Sequence, residues 1–402
     1  FHMYKNDNRL WSYSLTAALA LLIPFNLLAS LGMDIYLPVV PAMPAILGTS
    51  ASVVQMTLSL YMIMLGVGQV LFGPISDRIG RRPVLVIGVG LFIAATLGLA
   101  ATSFAPAFVA LRVVQAVGAS AMLVAVFATI RDVYAEKPES GAIYSLMNAM
   151  LSFVPALGPI AGALIADAMG WRWIFWLLAL TTMAVAITVI PNWPETRTRQ
   201  ERAVTVGARD ILKSRAFWAD TVAFGTAMGT FFVFFSTAPR VLIEKAGMSE
   251  LGFSIVFATV AAVMIVASRF APGFVARWGN PGCVFRGLAL IFSAALLLMV
   301  RQFGWPNSVA LFIAPMWIGA LGIVMIGAVT ANGALSDFGD AAGTAVALHF
   351  CGQSVIVGLV GTAFIVLLGG STAFPLVGYM AFMSVVAAVW VWTTLPRASL
   401  SG

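Results

Sequence analysis

Hydrophobic residues in this chain neither alternate nor mark one face of a helix; they come in long runs separated by short polar breaks. In the first half the runs lie near 14–37, 53–74, 83–102, 106–130, 141–167 and 172–191. In the second half they lie near 216–239, 252–275, 284–300, 308–331, 342–368 and 373–394. A helix needs about 20 apolar residues to cross the hydrocarbon core of a bilayer. Each run therefore predicts one spanning helix, whose backbone polar groups are satisfied within itself. The longest polar break contains PETRTRQERAVTVGARDILKSR and divides the spans six and six. The pattern predicts an all-α integral membrane fold, with a first six-helix bundle over 1–191, a linker over 192–215 and a second bundle over 216–402.

Composition agrees. Of 402 residues, 61% are hydrophobic and 9% charged, whereas a soluble domain carries about 25% charged residues. Such a chain cannot hide its apolar surface in one water-soluble core. A soluble enzyme, a nucleic-acid binder and a secreted disulfide scaffold are excluded. Cys283 and Cys351 lie far apart in or beside apolar runs, and His2 and His349 are the only histidines, so neither a disulfide nor a metal cluster is expected. No cofactor is expected either. The first apolar run is too long for a cleavable signal peptide.

The net charge of +7 invites an anionic partner, but its distribution argues for topology instead. With both termini on one side, seventeen Lys and Arg residues fall there, and four (Arg172, Arg240, Lys245 and Arg301) fall on the other. Positive charge collects on the cytoplasmic side of membrane proteins, which predicts cytoplasmic termini. Arg112 belongs to neither group. A faint repeat also emerges: GPISDRIGRRPVL after the second span and FVARWGNPGCV after the eighth align Arg78 and Gly80 with Arg277 and Gly279. Two halves with the same loop chemistry point to a parallel repeat with a substrate site between them.

Four places carry chemistry. In the loop from Gly73 to Pro83, glycines permit a tight turn, and Asp77 can stabilise the positive end of a helix; a purely topology-setting loop would explain Arg78, Arg81 and Arg82 alone. Arg112, inside the fourth span, is costly in lipid and should face a cavity and a partner, unless it snorkels from a helix end. In the fifth span Gly158 and Gly162, four apart, permit close helix approach while Pro159 bends the backbone. In the first span Asn26 and Asp34 are eight apart, slightly over two turns, so both can face one cavity. A carboxylate there suits proton transfer, since loss of water favours its neutral form and a nearby cation its charged form; as a helix end it could equally be solvated. His349, in the eleventh span, is open to two readings, a proton site or a packing residue. The Phe231–Phe235 face and Met147 and Met150 offer adaptable apolar surface, at spacings that also suit core or lipid contact.

These strings resemble the major facilitator superfamily. Gly73 to Arg82 is similar to its G-x-x-x-D-R-x-G-R-R loop, and Arg112-Val113-Val114-Gln115-Ala116-Val117-Gly118-Ala119 to its R-x-x-Q-x-x-G-A motif, linked with proton coupling. Gly158-Pro159-Ile160-Ala161-Gly162-Ala163 resembles the antiporter signature, with Val154 and Ala163 in place of its first and last glycines. Longer strings, among them LLASLGMDIYLPVVPAMP, FVPALGPIAGALI and GTFFVFFSTAPRVLI, resemble the phenicol exporters, which remove chloramphenicol and florfenicol from bacteria. The resemblance implies a monomeric twelve-helix drug/proton antiporter of the bacterial inner membrane, embedded in lipid and binding no nucleic acid. It implies a conformational latch of Gly73, Asp77, Arg78, Gly80, Arg81 and Asp132, in which Asp77 meets the start of the eleventh helix near Ala341 to Thr344 and Arg81 pairs with Asp132. Proton coupling would fall to Asn26, Asp34 and Arg112, and drug contact to Asn26, Ser30, Met33, Asp34, Arg112, Met147, Met150, Phe231 and Phe235.

One position departs. Where the phenicol exporters read PFDLLAS, this chain reads PFNLLAS. Asparagine has nearly aspartate's shape but cannot ionise, so Asn26 imitates a protonated acid. An acid there would pair with Arg112 when deprotonated. The reading that follows is an amphenicol exporter held in a protonated-like state, with Asp34 as an alternative proton carrier. A proton-coupled symporter of a small nutrient and a non-transporting membrane sensor remain alternatives, because fold alone does not select among them.

Overall fold

The computed structural model describes residues 11, 13–134, 140–197, 208–335 and 342–394. The helices, in chain order, are α1 (Leu15–Asp34), α2 (Met43–Ile46), α3 (Ala51–Ile79), α4 (Arg81–Ala101), α5 (Ala105–Tyr134), α6 (Ser140–Met169) and α7 (Arg172–Val189). They continue as α8 (Ala208–Lys213), α9 (Arg215–Pro239), α10 (Glu250–Gly304), α11 (Ala310–Leu335), α12 (Ala342–Ile356), α13 (Thr362–Leu368) and α14 (Phe374–Thr394). Among the described residues ten helical segments are long and apolar enough to cross a membrane. One of these is α10, which a non-helical Gly279 breaks into two spans; another joins α12 to α13 through a π-turn, Val357–Gly361. With α6 the twelve expected apolar runs are all helical.

Polar residues at the breaks start the helices. Ser14, Ser50, Ser214 and Ser249 each accept a backbone N–H from the first turn of α1, α3, α9 and α10, satisfying donors that would otherwise be orphaned. Helices extend further into the polar breaks than hydropathy predicts. Residues 73–79, expected as loop, are the last two turns of α3, and the only non-helical residue before α4 is Gly80 (φ 110°). The second copy of this sequence behaves alike: Gly279 has φ 65°, with helix on both sides. The repeat seen in the sequence is thus a repeat of backbone conformation in a region nearly restricted to glycine. The same spacing recurs deeper. Gly88 on α4 meets the Gly118 carbonyl of α5, and Gly287 on α10 meets the Gly322 carbonyl of α11. In both places the absence of a side chain brings two backbones together.

The first half packs α4 on α5 and α7, and α1 on α5 and α6; the second packs α10 on α11 and α14, and α9 on α11 and α14. The halves meet chiefly along two seams, α3 with α12 and α6 with α10. The end of the bundle near residues 11, 80, 134 and 195 is here called the terminal end. At that end Trp11 donates its indole N–H to Tyr134 Oη at 3.0 Å and packs edge-on against Trp193, tying the first and last described parts of this half together. At the other end a 3₁₀ segment, Leu37–Ala42, contacts α9 and α10 of the second half. Arg301, counted from sequence with the outer loops, is buried at that end. It donates to the Ser308 carbonyl and Gln302 Oε1 and lies over the Phe312 ring.

Candidate functional site

Arg112 sits one-quarter of the way along α5 and is wholly buried. Its Nη1 donates to the Gly32 carbonyl of α1 at 2.7 Å and to Gln115 Oε1, one turn on, at 2.6 Å. Gln115 in turn donates to Thr96 Oγ1 of α4 at 2.9 Å, which fixes the direction of its amide. The guanidinium lies between two aromatic faces, 4.6 Å from the Tyr36 ring and 4.4 Å from the Tyr61 ring. Such stacking partly replaces the water that a buried cation loses. Tyr36 is held by a short hydrogen bond to Thr57 and Tyr61 by one to the Ala29 carbonyl at 3.3 Å. Among the described residues Arg112 Nε and Nη2 have no partner. The site therefore presents a fixed cation with two unused donors.

Asp34 and Asn26 are both buried on α1. The Asp34 carboxylate is near enough to Arg112 for their charges to interact. Asn26 donates to the Met147 carbonyl of α6 at 3.5 Å, and Ser30 donates to the Asn26 carbonyl at 2.9 Å. Ser30 and Met33 are half-buried beside this face, and Met147 is fully buried; the Met150 side chain lies outside the described residues. The hydrogen bonds of Arg112 thus run to the α1 backbone and to Gln115, while Asn26 faces α6. The two small residues of α6 make this geometry accessible. A Cβ on Gly158 would stand 3.2 Å from Asp34 Cβ, and one on Gly162 would overlap the Ile35 carbonyl oxygen. Across the α6–α10 seam Ser254 Oγ of α10 lies 3.1 Å from the Pro159 carbonyl and 2.7 Å from the carbonyl of its own Glu250, the two acceptors open to its one proton.

At the terminal end Arg81 is the centre of a network. It donates to Asp132 through Nε at 2.7 Å and Nη2 at 3.3 Å, and to Asp77 at 2.6 Å and Ser76 at 3.1 Å through Nη1. Arg131 adds a longer contact to Asp77 at 3.7 Å. Among the described residues Asp77 pairs within the first half; of residues 341–344, where the sequence placed its partner on the other half, 341 and the side chains of 342 and 343 lie outside the described residues. The tight turn belongs to Gly80; Gly73 lies within α3, and a Cβ added there would meet nothing within 4 Å. Sequence reading missed Glu195. Its carboxylate accepts the backbone N–H groups of Arg81 at 2.8 Å, Arg82 at 3.1 Å and Arg197 at 2.9 Å, capping α4 from the linker. Arg197 also donates to the Arg78 carbonyl through a short bond.

In the second half Phe231, Phe234 and Phe235 of α9 pack around Phe257 of α10, with ring centroids 5.1–6.1 Å apart. Phe235 is 2% exposed and belongs to the core of this half, while Phe231 is half-buried. His349 on α12 stacks on Phe224 at 5.0 Å and pairs through Nδ1 with Thr221 Oγ1 at 3.0 Å. Four residues on, Gln353 donates to Ser354 Oγ at 2.8 Å. At Ser354 the halves touch closely, since any side chain on Gly66 of α3 would overlap it. Farther along the seam Gly358 fits against Ile63, and Thr362 makes a short hydrogen bond to Ser59.

Sequence reading also missed the aromatic shelf under Arg112. The available signal was a pair of tyrosines, Tyr36 and Tyr61, inside or next to apolar runs, where a phenol needs a polar neighbour.

Comparison with known proteins adds three findings. The model of the Major Facilitator Superfamily matches residues 22–362. The chain is 46% identical to the "Chloramphenicol resistance protein" of Pseudomonas aeruginosa over 383 residues, covering 95% of this chain and 91% of that one. It is 26% identical to the "Multidrug resistance protein MdtL" of Salmonella typhi over 385 residues, covering 93% and 94% respectively. Its fold matches that of the xylose transporter XylE from E. coli with a TM-score of 0.76 at 16% identity, over 96% of this chain and all of that one.

Proposed function

The chain belongs to the major facilitator superfamily and is a multi-pass membrane transporter rather than an enzyme, and from that premise we propose that it exports amphenicol antibiotics such as chloramphenicol and florfenicol in exchange for protons. The observation that carries the reading is the identity, along nearly the whole chain, to a protein named for chloramphenicol resistance. The geometry supports it. The halves meet along two seams, one of them, α3 with α12, closed at Gly66 and Gly358, and the buried polar groups beside those seams suit a neutral, partly apolar drug.

In this reading the drug lies between the halves, against α1, α5, α6 and α9, and export alternates protonation with drug occupancy. Coupling requires proton and drug to prefer different states of the rocking bundle, since equal affinity for both states shifts nothing. Arg112 is the fixed cation, and its unused Nε and Nη2 donors are what a carboxylate on α1 would seek. Asp34 already lies in its field, and an aspartate at position 26 would be a second candidate about two turns away on α1. With Asn26 in that place the chain imitates the protonated acid, so drug binding survives while proton-driven turnover is impaired. The latch at Asp77, Arg81 and Asp132 would exchange partners as the cytoplasmic side opens and closes. Cytoplasmic termini and a monomer complete the proposal.

The test compares cellular accumulation of chloramphenicol and florfenicol, with and without a protonophore, for this chain, its Asn26→Asp form and an empty vector at matched expression. The expected outcome is lowered accumulation in the Asn26→Asp form alone, abolished by the protonophore. If both forms match the vector, the amphenicol assignment fails. If Asn26→Asp changes neither transport nor its pH dependence, the role given to position 26 fails while export stands on its own.

A further inference from the structure

We propose that His349 and Gln353 on α12 form a hydrogen-bond-accepting subsite that takes a hydroxyl or amide N–H of the transported drug; the inference rests on the amphenicol reading above and names the residues that meet the drug from the second half.

The tautomer of His349 follows from its neighbour. Thr221 Oγ1 donates its single proton to the Phe217 carbonyl at 2.8 Å. At its 3.0 Å contact with His349 it can therefore only accept, so Nδ1 carries the imidazole proton. That leaves Nε2 as a lone-pair acceptor in the neutral ring. Nε2 has no partner among the described residues, and the residue is 1% exposed. Gln353 lies four residues on, on the same helical face. Its Nε2 is committed to Ser354, and its Oε1 has no partner although the residue is 5% exposed. Two unmet acceptors one turn apart are a costly arrangement in a lipid-embedded bundle. Phe224 supports the imidazole face, so the ring cannot swing to another partner without losing that stacking.

Position makes the pair a ligand site rather than a packing defect. Ser354, the partner of Gln353, abuts Gly66 of the other half, and Phe350 beside His349 contributes its carbonyl to the same junction. Gln353 therefore stands beside the seam along which α3 and α12 would part, while His349, one turn away, faces α9. An amphenicol carries the complement, with hydroxyls and an amide N–H to give. One neutral molecule can thus answer both acceptors of α12.

The experiment is chloramphenicol binding by isothermal titration calorimetry to the purified full-length chain and three variants, with the thermal midpoint of each drug-free protein as a check on folding. His349→Phe keeps a flat ring on Phe224 but removes the acceptor, and Gln353→Leu removes the second; each should weaken binding by about tenfold or more. His349→Gln, whose amide oxygen reaches the place of Nε2, should stay within about threefold of the parent. Unchanged affinity in both His349→Phe and Gln353→Leu overturns the subsite and leaves those acceptors to water. Equal losses in His349→Phe and His349→Gln that track falling midpoints also overturn it, in favour of a structural role. A parent chain that does not bind chloramphenicol refutes the amphenicol reading itself and takes the subsite with it, whereas a binding parent with unaffected variants refutes the subsite alone.

Discussion

The two halves share a backbone plan and differ in what they bury. Around Arg112 the first half holds a charge with a carbonyl of α1, the amide of Gln115, two tyrosine faces and the field of Asp34, and leaves Nε and Nη2 open. Around His349 the second half holds a neutral ring with one threonine and one stacked phenylalanine, and leaves an acceptor open. The reason lies in cost. A cation in lipid is tolerable only when several groups replace its water, so its surroundings must be built rigidly. A neutral imidazole costs less to bury and can keep a lone pair in reserve. The comparison teaches that near-symmetric helix packing does not carry symmetric chemistry. Gly88 and Gly118 have their counterparts in Gly287 and Gly322, but nothing on α11 corresponds to Arg112.

The largest test of this contrast removes the charge. In the Asn26→Asp background, Arg112→Met should raise drug accumulation to the level of the empty vector. Arg112→Lys should fail nearly as badly, because a point charge cannot bridge Gly32 and Gln115 while lying flat between two rings. Retained export in Arg112→Lys would mean that charge alone matters and that the shelf of tyrosines is incidental.

Next in size is the contact that seats α1 on α6. Gly162→Val drives a side chain into the Ile35 carbonyl and should lower stability by about 1–3 kcal/mol or more, read as a lower thermal midpoint. In the second half Gly361→Ala has its first contact 3.2 Å away, at the end of the Val233 side chain, and should move the midpoint much less. Equal shifts would show that the first half is not the more tightly specified one.

The repeat supplies a finer comparison. Gly80→Ala and Gly279→Ala each force a side chain into a backbone region that costs about 1–3 kcal/mol. A Cβ on Gly80 also collides with Glu195, while one on Gly279 meets nothing within 4 Å. Gly80→Ala should therefore destabilise more, and Glu195→Gln should narrow the gap by loosening the cap on α4. The smallest effect is expected from Gly73→Ala, in the same motif but inside α3. With nothing near its Cβ, the change should leave the midpoint unchanged or raise it by the ~0.5–1 kcal/mol that alanine gains over glycine in a helix.

Much of the candidate site was legible as a set of unusual residues and little of it as a set of contacts. Arg112 announced itself as a charge in an apolar run, and Gly158, Pro159 and Gly162 as a helix surface made for close approach. Glu195 was hidden in a polar linker where acids are ordinary, and its three N–H partners appear only once α4 begins beside it. Gln353 was hidden for the opposite reason: a single amide in an apolar span looks like tolerated polarity until its open oxygen is found beside that of His349. The loop read from Gly73 to Pro83 shrank to one residue because hydropathy marks where lipid ends, whereas a helix continues until its backbone is broken.

The sequence by itself determined that this chain crosses a membrane many times, where the spans lie, and that glycines at 80 and 279 divide matching pairs of them. Those are one-dimensional properties, set by the length of apolar runs and by which residues can adopt a positive φ. Which buried groups answer one another was decided only by the tertiary structure. In lipid an apolar helix gains little from turning one face rather than another toward its neighbours, so its rotation is set by where small residues allow backbones to meet. The same glycines that bring α6 onto α1 and α3 onto α12 fix which face of each helix, and so which polar side chain, looks across the gap between the halves.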